Sequence, residues 1–140
     1  MIFYMDFTFD KTERLCSKKA IDELFAGGKS KTQFPVKVIY KVSVYESAFP
    51  ARVVFIVPKK KHRRANKRNT VRRRLREAYR LNKHKLYSAL TTQKLDLMFI
   101  YLSDEVSDYK TTETCLLSLL EHITKQDLKQ SVELKKPTVE

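Results

Sequence analysis

The residues from position 59 to 76 carry the most concentrated chemistry of the chain. They read KKKHRRANKRNTVRRRLR, which is eleven lysines or arginines in eighteen residues without an acidic residue. The whole chain has a formal net charge of +13, and outside this run 18 basic residues nearly balance 16 acidic ones. A charge of this density repels itself unless it meets a polyanion, and phosphate backbones are the commonest such partner. The run therefore predicts nucleic-acid binding, with a disordered, solvated basic segment as the alternative.

The second part of the basic run has the pattern of an amphipathic helix. Apolar residues recur at the spacing of one stripe of a 3.6-residue helix, and basic residues occupy roughly the opposite side. Arginine suits the exposed side because its planar fork makes bidentate contacts with phosphates and stacks on bases. This pattern favours a binding helix over a solvated segment. The apolar positions are Val71, Leu75, Ala78, Tyr79 and Leu86, and the polar ones are Asn69, Arg72, Arg73, Arg76 and Arg80.

Residues that could catalyse a reaction are sparse. A protein nuclease gathers carboxylates around metal ions or places a histidine beside the scissile phosphate. The tightest acidic cluster is Asp104, Glu105 and Asp108, which reads as a solvated loop before the last helix. With only two glycines, the chain also has no phosphate-binding loop or dinucleotide motif. The sequence predicts a binding protein that has neither catalytic residues nor a metal site of its own.

The remaining pattern predicts the elements that position these residues. Ser17 is expected to cap a short helix that Gly27 and Gly28 close. Alternation predicts a long strand over 34–45, and apolar runs predict strands over 52–57 and 96–102. A last helix is expected to begin near Thr112.

This order predicts an α/β (α+β) two-layer sandwich, in which helices pack on a short mixed sheet in the order α-β-β-α-β-α. Residues 1–130 are expected to form a single RNA-binding domain, and residues 131–140 a mobile tail.

Several features bear on the compartment. Cys16 and Cys115 lack metal-binding spacing and are expected to be reduced and buried. No apolar stretch approaches the length of a membrane span, and the opening MIFYMDFTF is too short for a signal sequence. A cytoplasmic protein without a membrane partner is expected.

The stretch from Arg63 to Arg80 closely resembles the protein subunit of bacterial ribonuclease P. That family carries a lysine pair after a strand, followed by the helical pattern A-x-x-R-N-R-x-K-R-x-x-R-E. Thr70 stands where the family has a second arginine, so that Arg72 or Arg74 is expected to supply the phosphate contact. The opening ERLCSKKAIDELFAGGKS is also similar to the family, with Phe25 and Gly28 in register. The matching motif residues are Lys59, Lys60, Ala65, Arg68, Asn69, Arg73, Arg76 and Glu77, with Arg72 in place of a lysine.

The resemblance implies a function and partners. Ribonuclease P removes the 5′ leader of precursor tRNA, and its catalytic subunit is an RNA that uses Mg²⁺. The implied partners are this catalytic RNA and precursor tRNA, and DNA is not expected. Mg²⁺ is expected to be held mainly by the RNA, with no cofactor bound tightly by the protein. The residues implied to bind the catalytic RNA are Lys59, Lys60, Arg63, Arg64, Lys67, Arg68, Asn69, Arg72, Arg73 and Arg76.

A second surface is implied for the single-stranded leader, in a cleft between the sheet and the first helix. Single strands are held by aromatic stacking combined with a basic groove, which agrees with the residues available. For the aromatic residues, packing in the core is the alternative. The residues expected to line the cleft are Phe25, Phe34, Lys37, Ile39 and Arg52, with Lys41 beside them.

Three rival interpretations remain open. The first is a ribosomal-protein-like binder of structured RNA without a role in tRNA processing. The second is a DNA-binding protein, although the helix lacks a helix-turn-helix partner and has few residues that read adenine. The third is a protein-only nuclease that uses Asp104, Glu105 and Asp108.

Overall fold

The computed structural model describes residues 13–15, 17–43, 50–60, 63–89 and 94–135. Side chains are not described at Ser43, at Ala89 and over 126–135. In chain order the elements are α1 (Lys18–Gly27), β1 (Lys29–Gln33), β2 (Val36–Ser43), β3 (Ala51–Ile56), α2 (Ala65–Ala89), β4 (Lys94–Tyr101) and α3 (Tyr109–Lys135).

The four strands form one mixed sheet in the order β1-β2-β4-β3. β2 pairs antiparallel with both β1 and β4, whereas β3 runs parallel to β4. The predicted α+β class and mixed sheet are confirmed, and β1 is a strand that the sequence pattern did not predict. Its residues, KSKTQ, are all exposed, so this strand carries no hydrophobic alternation. The strand predicted over 34–45 begins at Val36, because Phe34 lies in the turn between β1 and β2, and residues 44–45 lie outside the described part.

The sheet has an apolar core on each face. On one face α2 and α3 cover the main core, which includes Val38, Leu97, Phe99 and Leu75. Phe99 stacks on Phe55 with ring centroids 5.6 Å apart, and Tyr79 meets Phe55 edge-on. On the opposite face α1 covers a smaller core, formed by Leu15, Ala20, Leu24, Ile39 and Met98. α1 therefore lies over the middle of a face whose ends it leaves open.

The ends of α1 are fixed by local chemistry. At the N-terminal end, the hydroxyl of Ser17 accepts a hydrogen bond from the backbone N–H of Ala20, which confirms the predicted cap. At the C-terminal end, the N–H of Gly28 donates to the carbonyl of Leu24. A Cβ at Gly28 would lie 2.6 Å from that carbonyl oxygen and 2.7 Å from Cγ2 of Ile39. A glycine is required here because the chain turns directly against β2.

α3 is longer at both ends than the pattern predicted. It begins at Tyr109, where the carboxylate of Asp108 accepts a hydrogen bond of 2.8 Å from the N–H of Thr111. It ends at Lys135 and thus extends five residues into the segment predicted as a mobile tail. The sequence from Lys129 to Lys135 contains no proline or glycine, and Pro137 follows shortly afterwards. Residues 136–140 lie outside the described part.

Predictions on the compartment are tested in part. Cys115 is a free, buried cysteine as predicted, and burial raises the pKa of its thiol. Cys16 and the first nine residues lie outside the described part. Among the residues that the structure describes, no helix has the length and apolar character to cross a bilayer.

Candidate nucleic-acid interface

α2 presents the two faces that its periodicity predicted. Every residue of the predicted apolar stripe is buried in the main core, where α2 packs against β3 and α3. The consequence is that the arginines between Val71 and Leu75 lie away from the main core, whereas Lys83, farther along α2, is buried. The buried stripe consists of Val71, Leu75, Ala78, Tyr79 and Leu86.

The opposite side of α2 and the residues before it form a cationic surface, which we call the basic ridge. It includes all ten residues implied to bind RNA, and each is exposed or half-buried. Lys61 and His62, which belong to the same run, lie outside the described residues. The exposed members are Lys59, Lys60, Arg63, Arg64, Lys67, Asn69 and Arg73, and the half-buried ones are Arg68, Arg72 and Arg76.

Several arginines of α2 have intramolecular hydrogen bonds that limit their roles. The guanidinium of Arg68 donates to the carbonyl of Arg63 at 2.9 Å, which braces the helix start. Arg74 donates to the carbonyl of Ser107 at 2.5 Å and so ties α2 to the loop before α3. Because Arg74 is engaged there, Arg72 is the better candidate to compensate for Thr70. Arg80 pairs with Glu77 one turn earlier.

A second surface lies beside α1, at one end of the face that α1 covers. Phe25 on α1 is 59% exposed and Phe34 in the β1–β2 turn is 67% exposed, which is unusual for phenylalanine in a folded domain. Lys37 on β2 pairs in register with Ile100 of β4, which pairs in turn with Ile56 of β3. We group Phe25, Phe34, Lys37, Ile56 and Ile100 as the candidate leader-binding surface and call this group the aromatic cleft. Core packing, the alternative for both phenylalanines, does not describe their environment.

Two residues predicted for the cleft are placed differently. Ile39 is only 8% exposed and packs in the small core under α1, so it supports that helix and has little surface for a ligand. Arg52 on β3, Asp96 on β4 and Lys41 on β2 lie side by side across the sheet. They are four residues along each strand from Ile56, Ile100 and Lys37, respectively. Four residues correspond to roughly 13 Å along a strand. Arg52 also donates to both carboxylate oxygens of Asp96, at 2.8 and 3.0 Å. The strand alternation placed these residues on the correct face but could not show that α1 divides it.

The apolar floor of the cleft was missed by the sequence reading. Ile56 and Ile100 are half-buried and pack against the small core together with Ile21 of α1. Both isoleucines lie in strands that read as continuous apolar runs, typical of burial on both faces. Only the incomplete cover by α1 leaves them accessible.

One residue of the acidic cluster Asp104, Glu105 and Asp108 has a structural role. Asp108 caps α3, and its hydrogen bonds to the side chain and the backbone of Thr111 lower the pKa of its carboxyl group. Asp104 and Glu105 are exposed in the preceding loop. Across the described ranges, no three His, Cys, Asp or Glu side chains are grouped in a way that could hold a metal ion.

A buried ion pair anchors the segment 13–15 to α2. Glu13 is fully buried and Lys83 is 2% exposed, and the Lys83 ammonium lies 2.6 Å from a carboxylate oxygen of Glu13. The Tyr87 hydroxyl donates to the same oxygen at 2.5 Å. Leu15 then donates its N–H to the carbonyl of Val53, so that the segment runs along the free edge of β3. No pattern in the sequence pairs residues 70 positions apart, and this contact was not predicted.

Comparison with known proteins shows the family of the chain. The family model described as Ribonuclease P matches residues 9–124. The ribonuclease P protein component of Porphyromonas gingivalis is 38% identical over 112 residues, which cover 79% of this chain and 82% of that protein. The ribonuclease P protein of Thermotoga maritima superposes with a TM-score of 0.62 at 25% identity, covering 79% of this chain and 96% of that one. The Staphylococcus aureus ribonuclease P protein gives a TM-score of 0.64 at 17% identity, over 79% and 94% of the two chains. With the match running from the segment before α1 well into α3, the chain belongs to the ribonuclease P protein family.

Proposed function

We propose that this chain is the protein subunit of a ribonuclease P holoenzyme that removes the 5′ leader of precursor tRNA. The observation that carries the proposal is that every residue of the basic ridge is exposed or half-buried, whereas the apolar stripe of α2 is buried. Family membership gives the ridge its partner, the catalytic RNA, and the wide match disfavours the ribosomal-protein-like alternative.

The ridge would bind the catalytic RNA through its backbone phosphates. Arginine forks and the positive end of the helix dipole at the start of α2 both favour phosphate oxygens. The deep, narrow major groove of A-form RNA hides the base edges from side chains, so the contacts would recognise shape and charge. Arg68, braced against the carbonyl of Arg63, would hold the first turn in place for these contacts.

The aromatic cleft would hold the 5′ leader of precursor tRNA. Phe25 and Phe34 would stack on unpaired bases, Lys37 would contact a phosphate, and Ile56 and Ile100 would exclude water beneath the strand. Because mature tRNA lacks a leader, this surface gives the protein a means to favour substrate over product.

The cleavage chemistry is assigned to the RNA. The described residues offer no group of ligands for a metal ion, and the ridge contains no carboxylate. Mg²⁺ would therefore be held by the catalytic RNA, and the protein would act by neutralising phosphates and binding the leader. We assign the complex to the cytoplasm, where precursor tRNA is available in bacteria.

The isolated protein is expected not to cleave precursor tRNA in Mg²⁺ but to restore cleavage by the catalytic RNA when Mg²⁺ is low. High Mg²⁺ should replace the protein in part, because divalent ions screen the same phosphates. The measurement is single-turnover cleavage with and without the protein over a Mg²⁺ series. Cleavage by RNA-free protein that is lost in Asp104→Ala or Asp108→Asn would contradict this assignment; the asparagine retains a helix cap.

Recovery of the bound RNA from cells tests the partner directly. A large structured RNA that cleaves precursor tRNA is expected to co-purify with the protein. Recovery of ribosomal RNA alone would instead support the ribosomal-protein-like alternative.

The two faces of α2 are expected to respond differently to substitution. Arg73→Ala removes an exposed cation. The slope of log affinity against log salt should therefore become less steep by roughly 0.7–0.9, the value for one phosphate contact. Its melting temperature should stay almost unchanged. Leu75→Ala, at a fully buried position, is the matched control and should cost about 2–5 kcal/mol of stability while leaving the salt slope as it was.

Titration of the catalytic RNA between low and moderate salt measures the slope, and denaturant unfolding measures the stability. Should Arg73→Ala bind with the affinity and salt slope of the wild type, the assignment of this side of α2 to RNA would be wrong.

A further inference from the structure

A cavity of about 200 Å³ lies where the basic ridge meets the edge of the sheet. Its walls are Leu15 and three consecutive residues of β3, and three arginines line it from two elements. Arg72 and Arg76 come from α2, one turn apart, and Arg14 comes from the segment along β3. A water molecule takes up about 30 Å³ of liquid, so the space holds a small polyatomic anion together with several waters.

Arg76, one of the three arginines that line the cavity, has a donor atom without an acceptor. Its Nε atom is buried and has no hydrogen-bond partner among the described residues. Burial lowers the pKa of the Arg76 guanidinium, and the positive charges of Arg14 and Arg72 lower it further. A buried donor without an acceptor costs free energy, and like charges add to that cost. Both costs are relieved if an anion enters between the three side chains.

The nearby carboxylates that the structure describes are already committed elsewhere. None of the described residues that line the cavity is acidic. Glu13, next to Arg14 in sequence, accepts from Lys83 and Tyr87, and Glu77, next to Arg76, pairs with Arg80.

The third arginine is held in place by structure. The buried pair of Glu13 and Lys83 fixes one side of Arg14, and the hydrogen bond of 2.8 Å from Leu15 to Val53 fixes the other. On α2, Asn69 accepts a long hydrogen bond from the guanidinium of Arg72. Arginines whose backbones are fixed in this way lose less freedom when they close on a ligand.

We propose that Arg14, Arg72 and Arg76 form a seat for a single phosphate group of an RNA backbone. This inference rests on the proposed function, and it adds Arg14, a residue outside the helix, to the RNA-binding surface. The phosphate can come from the catalytic RNA or from the leader of precursor tRNA, since the cavity lies between the ridge and the face of the sheet that carries α1.

Double substitution distinguishes one shared phosphate from separate contacts. Arg14→Gln and Arg76→Gln, singly and together, are compared with Arg14→Gln combined with Arg73→Gln. Two arginines that contact the same phosphate are coupled. Arg14→Gln with Arg76→Gln should therefore make the slope of log affinity against log salt less steep by roughly 0.7–0.9 in total, whereas Arg14→Gln with Arg73→Gln should make it less steep by about twice that. A fall of the same size in both pairs, or no effect of Arg14→Gln, would overturn the shared seat.

Two affinities are compared to identify the RNA that supplies the phosphate. The coupling between Arg14 and Arg76 is measured in each of them. Coupling in the affinity for the catalytic RNA, equal for precursor and mature tRNA, assigns the phosphate to the catalytic RNA. Coupling confined to the ratio of precursor to mature tRNA affinity of the holoenzyme assigns it to the leader.

A readout on the isolated full chain separates failure of the seat from failure of the proposed function. Titration with inorganic phosphate should shift the Nε–Hε NMR signal of Arg76 saturably, several-fold more weakly in Arg14→Gln and unchanged in Arg73→Gln. Absence of a saturable shift overturns the seat even if the holoenzyme is active. A shift without coupling in either RNA measurement overturns its assignment to RNA.

Discussion

Glu13→Ala is expected to destabilise the folded chain by about 3–5 kcal/mol, because it removes the carboxylate that pairs with the buried ammonium of Lys83. This is a large share of the 5–15 kcal/mol that typically stabilises a domain of this kind. Burial raises the pKa of the Tyr87 hydroxyl, and the hydrogen bond to Glu13 raises it further, so this hydroxyl stays protonated and also loses its acceptor. Denaturant unfolding followed by circular dichroism measures the loss.

Two further variants identify burial as the cause. Glu77→Ala breaks a pair on the same helix whose side chains are exposed by a third or more, and it should change the stability little. The double substitution Glu13→Leu with Lys83→Met should recover most of the stability, since neither charge then remains buried. Equal losses in Glu13→Ala and Glu77→Ala would show that the Glu13 pair is open to water in solution.

Loss of the segment's anchor should also have a functional consequence. Glu13 holds the segment that presents Arg14 beside α2, so Glu13→Ala should weaken binding of the catalytic RNA even under conditions where the protein stays folded. The double Leu and Met variant restores stability without the ion pair, and it therefore tests whether packing alone positions the segment.

The second large effect is expected from Phe25→Ala combined with Phe34→Ala. Each base stack on an aromatic side chain contributes about 1–3 kcal/mol, so the two together should weaken precursor tRNA binding by about 2–6 kcal/mol. Mature tRNA should bind as before because it has no leader. The two rings are mostly exposed, so stability should change little. The measurement is the affinity of the holoenzyme for precursor and mature tRNA at the same salt.

Val42→Ala is a matched control for these two substitutions. Val42 is also an exposed apolar residue, but it lies on β2 five residues beyond Lys37. Its replacement should leave the ratio of precursor to mature tRNA affinity unchanged. Equal losses for both tRNAs in the phenylalanine variant would count against a leader cleft, and a large fall in melting temperature for Phe25→Ala would indicate core packing.

Local periodicity determined the part of the site that lies on α2. The i, i+4 and i, i+7 spacing of Val71, Leu75 and Ala78 fixes which side of a helix is buried, whatever the helix packs against. The basic residues between them are then forced to the other side. The same locality explains why the Ser17 cap was predicted correctly, since a side-chain cap involves residues within one turn.

Tertiary structure alone decided the rest. β1 is a strand because its backbone pairs with β2. Its sequence, KSKTQ, has no hydrophobic alternation that would predict a strand. The cleft is limited to one end of a sheet face because α1 crosses that face and buries Ile39. Arg14 stands beside Arg76 because Glu13 meets Lys83 across 70 positions of sequence. Periodicity records which residues share a face of one element, whereas the pairing of distant residues depends on how the elements pack, and that information is distributed over the whole chain.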